Sequence, residues 1–233
     1  MIELGYTPPA ELSRVSMRAL IVGVIFTVLL VIGAFIDRRQ FFHAYLVGFT
    51  LWIGITIGSL ALLMLQHLTG GAWGLVIRRV LEAATRTLPL MIILFVPIIF
   101  GLKLIYPWTD PIVMKATPAL QQKAKYLNPS FFLIRAAIYF LFWSLLALLL
   151  NWLSLEQDRT GDKNIRKRLQ IVSGPGLGLL IISITFASID WVMSLEPAWS
   201  STIFGLIFVA SWSLSALAFT IVVMSWLRKR EPM

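Results

Sequence analysis

The segment Phe131–Leu153, FFLIRAAIYFLFWSLLALLLNWL, decides the fold class of this chain. About 20 apolar residues in a row are enough for a helix to cross the hydrocarbon core of a membrane. This segment reaches that length with one ionisable side chain, Arg135. Lipid offers the backbone no hydrogen-bond partner, and the run does not alternate as the strands of a barrel do. The segment therefore predicts a transmembrane helix.

Five more segments of this kind lie on either side of it, and together they predict an all-α, polytopic integral membrane protein. Asn128 and Pro129 are expected to start the fourth span as helix cap and first helical residue. Ser173–Gly176 is expected to open the fifth span; in the alternative interpretation, Pro175 leaves backbone groups free beside a cavity. The six predicted spans are Met17–Ile36, Ala44–Gln66, Leu88–Tyr106, Phe131–Leu153, Ile171–Leu195 and Thr202–Leu227.

The composition agrees with a membrane protein and excludes several other classes. Of the 233 residues, 58% are hydrophobic and 13% are charged, and a soluble domain carries about twice that charged fraction. A net charge of +9 would suggest a nucleic-acid partner for a soluble domain. Here the basic residues lie between the apolar runs, so we expect the lipid bilayer as the partner and no nucleic acid.

Cysteine is absent, which excludes disulfides, cysteine-ligated iron–sulfur clusters and cysteine zinc sites. The two histidines, His43 and His67, lie on one predicted helix about 36 Å apart, so they cannot ligate one haem together. We expect no metal and no covalently bound cofactor. No nucleotide-binding, triad or zinc-protease motif is present. No catalytic residue is therefore assigned, and an enzyme acting alone is disfavoured.

The orientation follows from the basic residues in the connections. Thirteen lysines and arginines lie on the side of the two termini and six on the other side, while Arg135 lies within a span. Because basic residues are retained in the cytoplasm, both termini are predicted to be cytoplasmic. Within the second predicted span, Gly54 and Gly58 form a small-xxx-small motif that favours close helix packing.

The second connection is predicted to contain a short amphipathic helix over residues 72–85. Trp73, Val76, Ile77, Val80 and Ala84 recur at helical spacing, and Arg78, Arg79 and Glu82 occupy the other face. This pattern is typical of a helix that lies in the membrane interface. In the simpler interpretation, the two arginines only anchor the orientation of the chain.

Asp190 and Arg135 are ionisable residues in apolar segments and mark a candidate site. Counting 1.5 Å per residue places both at about 10 Å from the same end of neighbouring spans. One interpretation is an ion pair that only holds two helices together. The other is a polar pocket for a quinol, in which Asp190 takes a proton while Tyr139, Trp143 and Trp191 clasp the ring.

His67, Arg86 and Asp158 are predicted to lie near the cytoplasmic side. They are candidates for a proton entry path, because ionisable groups near membrane depth often carry protons. The alternative for His67 is an ordinary histidine at the membrane boundary.

Three longer stretches carry a family resemblance. They are Leu65–Pro89 (LQHLTGGAWGLVIRRVLEAATRTLP), Lys125–Ile138 (KYLNPSFFLIRAAI) and Ser173–Gly205 (SGPGLGLLIISITFASIDWVMSLEPAWSSTIFG). Together they resemble the F-type membrane subunit of alternative complex III, the bacterial quinol:cytochrome c oxidoreductase. That subunit is related to the polysulfide-reductase membrane-subunit superfamily.

The resemblance implies a subunit of the bacterial inner membrane that acts in respiratory electron transport. Its partners would be a second, similar membrane subunit, an iron–sulfur protein, and multihaem and monohaem cytochromes c, which would carry the redox centres. This chain would contribute to interaction with menaquinol or ubiquinol, or to proton translocation. The residues carried over by motif are His67, Arg78, Arg79, Glu82, Arg86, Arg135, Asp190 and Glu196, and Glu196 thereby joins the proton-path candidates.

The resemblance also implies a domain organisation. Residues 1–233 would form one integral membrane domain, with a peripheral helix at 17–36, a four-helix bundle at 44–195 and a sixth helix at 202–227. Members of this family are built of two such bundles. The sixth helix would therefore begin a second bundle, whose remainder is expected to be absent. Two other functions remain open, namely a purely structural scaffold of the complex and a free-standing transporter.

Overall fold

The computed structural model describes residues 10–227 and, within them, the side chains of all but residues 10–13, 119 and 163. This part of the chain is helical and has no strand. It also contains two 3₁₀ turns, Pro107–Thr109 and Met193–Leu195. The helices are α1 Ala10–Ile36, α2 Arg38–Thr69, α3 Ala72–Thr85, α4 Leu88–Ile105, α5 Pro111–Ala116, α6 Pro118–Lys123, α7 Pro129–Thr160, α8 Lys163–Trp191 and α9 Phe204–Leu227.

Six of the described helices are long and apolar enough to cross a membrane, namely α1, α2, α4, α7, α8 and α9. This confirms the prediction of an all-α polytopic membrane protein. In α2 and α7 the helix has 32 residues, or about 48 Å. It continues beyond the apolar run at both ends, because backbone hydrogen bonding does not stop where the side chains become polar. The side of the membrane on which each end lies stays a prediction.

Two local predictions about helix starts have opposite outcomes. The Asn128 side chain accepts a hydrogen bond from the backbone N–H of Phe131 at 2.9 Å and caps α7, as predicted. The prediction that Ser173–Gly176 starts a helix is wrong, because α8 begins at Lys163 and contains Pro175 in its interior. Asp162 supplies the cap by accepting from the N–H of Asn164 at 2.8 Å, a signal that the apolar pattern does not contain.

The chain divides into two compact units, one up to Ala44 and one from Tyr45 onward. In the first unit, the apolar side chains of α1 between Met17 and Ile36 are exposed. None of the apolar window of this span is buried. Its outer surface is therefore suited to lipid.

In the second unit, α2, α4, α7 and α8 surround an aromatic core. Phe49 of α2 lies 5.6 Å from Phe95 of α4 between ring centroids, and Phe95 lies 5.3 Å from Trp191 of α8. Phe140 of α7 stacks on Trp191 at 5.8 Å. One aromatic ring from each helix thus meets at the centre, and the two ends of this bundle are named below the α3 end and the α5–α6 end.

Helix α9 packs on α8 and on the glycine motif of α2. A Cβ atom added at Gly58 would lie 2.1 Å from the backbone oxygen of Trp212, and one at Gly54 would lie 2.5 Å from the Trp212 ring. The small-xxx-small motif predicted from the sequence thus lets α2 approach the backbone of α9, as glycine does in other membrane helix pairs.

The Gly58 contact gives a stability prediction. We expect Gly58→Ala to destabilise the protein by about 1–3 kcal/mol, because the methyl group overlaps the backbone of α9, which cannot move aside. The measurement is unfolding in mixed detergent micelles. Gly48→Ala is the matched control on the same helix, since nothing lies within 4 Å of a Cβ atom there. Equal effects of the two substitutions would contradict the packing role.

Candidate functional site

A buried ion pair joins α7 to α8 near the α5–α6 end of the bundle. Arg135 donates from Nε to Asp190 Oδ2 at 2.8 Å and from Nη2 to Asp190 Oδ1 at 2.9 Å. The exposed fraction is 7% for Arg135 and 0% for Asp190. The geometry is the two-pronged pairing in which a guanidinium and a carboxylate bind most strongly. The structure thus brings together the two residues that the sequence placed at similar depth.

Further groups complete this pair. The Tyr139 hydroxyl donates to Asp190 Oδ2 at 2.8 Å, and Arg135 Nη1 donates to the backbone oxygen of Tyr126 at 3.0 Å. The guanidinium carbon of Arg135 also lies 3.9 Å from the centroid of the Tyr126 ring. Both charges are therefore paired and hydrogen-bonded, which is the condition for burying an ion pair at low cost.

Trp191 lies next to Asp190 in the chain but serves the aromatic core instead of the ion pair. It is 1% exposed and its backbone oxygen accepts from the Tyr106 hydroxyl at 2.9 Å. Its ring contacts Phe49, Phe95 and Phe140. Of the four predicted cofactor-binding residues, Arg135, Asp190 and Tyr139 share one hydrogen-bond network, and Trp191 packs behind it.

A groove of about 280 Å³ lies on the α7–α8 surface beside this centre. Tyr139 lines it, together with Ser183 and Phe186. Ser183 accepts a hydrogen bond from Nε1 of Trp143 at 2.8 Å. Since the hydroxyl of Tyr139 reaches Asp190, this side chain connects the groove with the buried carboxylate.

A second buried charged cluster lies at the α3 end and is built around Glu82, which is 2% exposed. Arg78 Nε donates to Glu82 Oε1 at 2.9 Å and Arg79 Nη1 donates to Glu82 Oε2 at 2.8 Å. The hydroxyl of Ser154, on α7, donates to Glu82 Oε1 at 2.5 Å and accepts from Arg78 Nη2 at 2.8 Å. The cluster therefore fastens α3 to α7.

The charged face of α3, which an interfacial helix would turn to water, packs instead against α7 through Arg78 and Glu82. The apolar face is divided, since Trp73 and Val76 are exposed whereas Leu81 and Ala84 are buried. The reason is that the last turns of α7 carry polar partners, Ser154 and Gln157, for the charged face. The sequence did not identify the partner of Glu82. Polar residues at the end of α7 indicate such a partner only once α3 and α7 are known to be in contact.

Arg79 extends this cluster to the surface, where it pairs with the exposed Asp158. The hydrogen bond from Arg79 to Asp158 raises the pKa of the guanidinium, and the nearby Glu82 raises it further. Arg79 therefore remains a cation. Asp158, a predicted proton-path residue, is held by a permanent positive charge.

Arg86 takes part in a separate network at the same end. Its Nε donates to Asn151 Oδ1 at 3.1 Å, and Asn151 Nδ2 donates to the Thr85 hydroxyl at 2.8 Å. These side chains border an apolar slot of about 360 Å³ that Leu148 and Trp152 also line. The slot lies between α4 and α7.

The four proton-path candidates do not form one chain of contacts. His67, Arg86 and Asp158 lie at the α3 end, and His67 Nδ1 lies 3.1 Å from the Ser173 hydroxyl. Glu196 is exposed and follows the far end of α8. From Ser173 to the end of α8 the distance along the helix is about 27 Å, so Glu196 belongs to the α5–α6 end.

Comparison with models of known protein families and with curated proteins finds no match to this chain. The resemblance carried by the three motifs therefore remains a hypothesis about the family. Among the side chains that the structure describes, no group of three or more acidic or histidine residues could hold a metal.

The ion pair gives a second stability prediction. We expect Asp190→Asn to destabilise the protein by about 3–5 kcal/mol, because Arg135 is left as an uncompensated buried charge. The double variant Arg135→Met/Asp190→Asn is expected to lose less, since both charges are removed. Unfolding in mixed micelles measures both.

Asp158→Asn is the matched control, because it breaks an ion pair whose side chains are about half exposed. We expect a loss of at most about 1 kcal/mol. The single variant Arg135→Met completes the set. If the loss of stability in the double variant equals the sum of the losses in Asp190→Asn and Arg135→Met, the Arg135–Asp190 coupling is contradicted.

Proposed function

We propose that this chain is a non-haem membrane subunit of a quinol:cytochrome c oxidoreductase of the alternative complex III type, in the bacterial inner membrane. In this proposal an iron–sulfur protein, cytochromes c and a second membrane subunit complete the complex. The chain itself supplies a quinol-interacting site or part of a proton path. Three sequence motifs support the family, and one structural feature supports the role.

That feature is the connection from the α7–α8 groove through the Tyr139 hydroxyl to the buried carboxylate of Asp190. Oxidation of a quinol to a quinone releases two electrons and two protons. The flat side chains of Tyr139, Phe142 and Phe186 line this groove and can hold a quinol ring by apolar contact. A proton that leaves the quinol would pass to the Tyr139 oxygen as the Tyr139 hydroxyl proton moves to Asp190.

The electrons need another path, because the sequence lacks cysteine and its two histidines cannot ligate one haem. Haem and iron–sulfur groups would therefore lie on partner subunits. Those partners would have to approach the α5–α6 end, where α5 and α6 form a structured cap. Lys123 of α6 donates to the backbone oxygen of Pro197 at 2.7 Å and closes this cap over the end of α8.

A structural scaffold is the second candidate, and one observation favours it. Both carboxylate oxygens of Asp190 are already occupied by Arg135 and Tyr139. A group that is fully satisfied in this way can hold α7 against α8 without taking part in chemistry. The two functions differ in what happens when the Tyr139 hydroxyl alone is removed.

Tyr139→Phe tests the proposal because Arg135 still holds Asp190 from two nitrogens in the variant. If quinol is oxidised here, we expect quinol-driven cytochrome c reduction by the purified complex to fall about 10²-fold or more, the usual size of a proton-transfer effect. The haem and subunit content of the complex should not change. Tyr45→Phe is the matched control, since it removes a phenolic hydroxyl that donates to the Leu94 backbone oxygen at 2.7 Å.

The scaffold is supported if both variants keep activity within about two-fold of the unmodified complex, since a lost catalytic proton transfer has a larger effect.

Affinity purification of the tagged chain in mild detergent tests the family itself. Co-purification of haem-staining and iron–sulfur subunits is the expected result. A chain that purifies without them would contradict membership of such a complex.

A further inference from the structure

A polar cavity of about 340 Å³ opens at the α3 end, where α2, α3, α7 and α8 meet. It is separate from the Asp190 centre and from the apolar slot beside Arg86. Its lining combines two amide side chains, an imidazole, two guanidinium groups, two glycines and two leucines. These residues are Gln66, His67, Gly70, Gly71, Leu75, Arg78, Gln157, Arg166 and Leu169.

Two of the lining side chains are buried but incompletely hydrogen-bonded. Gln66 and His67 are each 6% exposed. Among the described residues, neither Gln66 Oε1 nor His67 Nε2 has a hydrogen-bond partner. A buried polar atom without a partner costs about 1–3 kcal/mol. Two such atoms on the wall of one cavity offer hydrogen bonds that a polar ligand in the cavity can complete.

The chain holds these side chains in place by close packing. A Cβ atom at Gly74 would lie 1.9 Å from Cγ of Gln66, so the absence of a side chain at Gly74 makes room for Gln66. Gly70 and Gly71 have φ angles of 66° and 89°, values that favour glycine and let the chain turn tightly from α2 into α3. The Ser173 hydroxyl fixes the ring of His67 through Nδ1.

The charge of the cavity is positive at its mouth. Arg78 is balanced by Glu82 in the cluster described above. Arg166 is exposed, and no salt bridge involves it among the described side chains. Lys167 and Arg168 follow it in the chain. An anion is therefore the ligand class that the site favours.

The remaining lining argues against a flat ring. No aromatic side chain lines the cavity, whereas a quinol ring is normally held by flat or apolar walls. Apolar surface is supplied instead by Leu75 and Leu169 on its wall, and Leu75 is exposed. A ligand that is anionic and hydroxylated at one end and apolar at the other matches this combination of surfaces.

We propose that this cavity binds the headgroup of an anionic glycerophospholipid, with phosphatidylglycerol as the matching chemistry. Its phosphodiester lies against the guanidinium groups of Arg166 and Arg78. Its glycerol hydroxyls donate a hydrogen bond to Gln66 Oε1 and form another hydrogen bond with His67 Nε2. The acyl chains lie along the apolar surface beside the mouth. The basic side of a membrane protein is also where anionic lipids are recognised. The proposal is independent of the proposed respiratory function, because it concerns binding and not electron transfer.

The test uses the purified protein in detergent, titrated with dioleoylphosphatidylglycerol or dioleoylphosphatidylcholine, with bound lipid counted by native mass spectrometry. We expect phosphatidylglycerol to bind about ten-fold more tightly than phosphatidylcholine, the equivalent of one charge-assisted hydrogen bond. Arg166→Gln is expected to remove this preference, and because Arg166 is exposed the variant should fold. Gln66→Leu and His67→Leu are expected to weaken binding by a similar factor.

Two matched controls separate the cavity from general basic charge. Arg168→Gln removes the neighbouring charge outside the cavity, and His43→Leu removes the other histidine of α2. Both are expected to leave the preference unchanged. A loss in Arg168→Gln equal to that in Arg166→Gln would overturn the site in favour of diffuse surface charge.

Competition with inorganic phosphate distinguishes a lipid headgroup from a free phosphate ion as the ligand of the cavity. If phosphate at equal concentration displaces the lipid, the cavity binds a free phosphate and the lipid proposal is wrong. Phosphatidylmethanol, a phosphodiester with the same single negative charge but no glycerol hydroxyls, should bind more weakly than phosphatidylglycerol. If the lipid without glycerol hydroxyls binds as tightly as phosphatidylglycerol, the roles of Gln66 and His67 are overturned. If phosphatidylcholine binds as tightly as phosphatidylglycerol, the role of Arg166 is overturned.

Discussion

Hydrocarbon provides no hydrogen-bond partner and no counter-charge, and every polar feature of this protein follows from that constraint. Arg135 and Asp190 can lie among apolar residues because each supplies the charge that the other needs, with Tyr139 and the Tyr126 backbone completing the bonds. The pair links α7 to α8, so it positions the two helices whose surface forms the groove beside Tyr139. The aromatic core around Trp191 could not pack as it does if these helices were displaced.

The same constraint operates at the α3 end with a different solution. Glu82 is compensated by two arginines of its own helix and by Ser154 of α7. One carboxylate thereby fastens a short helix to a long one. The neighbouring cavity differs from both centres, because Gln66 and His67 present polar atoms for which the described residues supply no partner. The two ion-paired centres hold the helices together, and the cavity beside Gln66 and His67 is where a ligand is expected.

Prediction from sequence succeeded where a single physical effect decides the outcome. The spans follow from apolar length, the cap at Asn128 follows from local hydrogen bonding, and the meeting of Arg135 with Asp190 follows from depth and the cost of an unpaired charge. It failed at the start of α8, because Pro175 is tolerated inside a helix that other contacts support. It also left Glu82 on a water-facing surface, since amphipathic patterning identifies two faces of a helix but not the neighbour of each face.

The sequence by itself determined the helical class, the number of long apolar segments, the lack of cysteine-ligated redox centres and the positions of the charged residues along their helices. These properties depend on composition and on distance along one helix. Only the tertiary structure decided that Trp191 serves the core, that α3 turns its charged face towards α7, and that Gln66, His67 and Arg166 line one cavity. Those arrangements depend on which helices pack together, and in a mostly apolar chain many pairings satisfy the same hydrophobic pattern. The choice among them is made by close packing at glycines and by the few polar groups that must find partners.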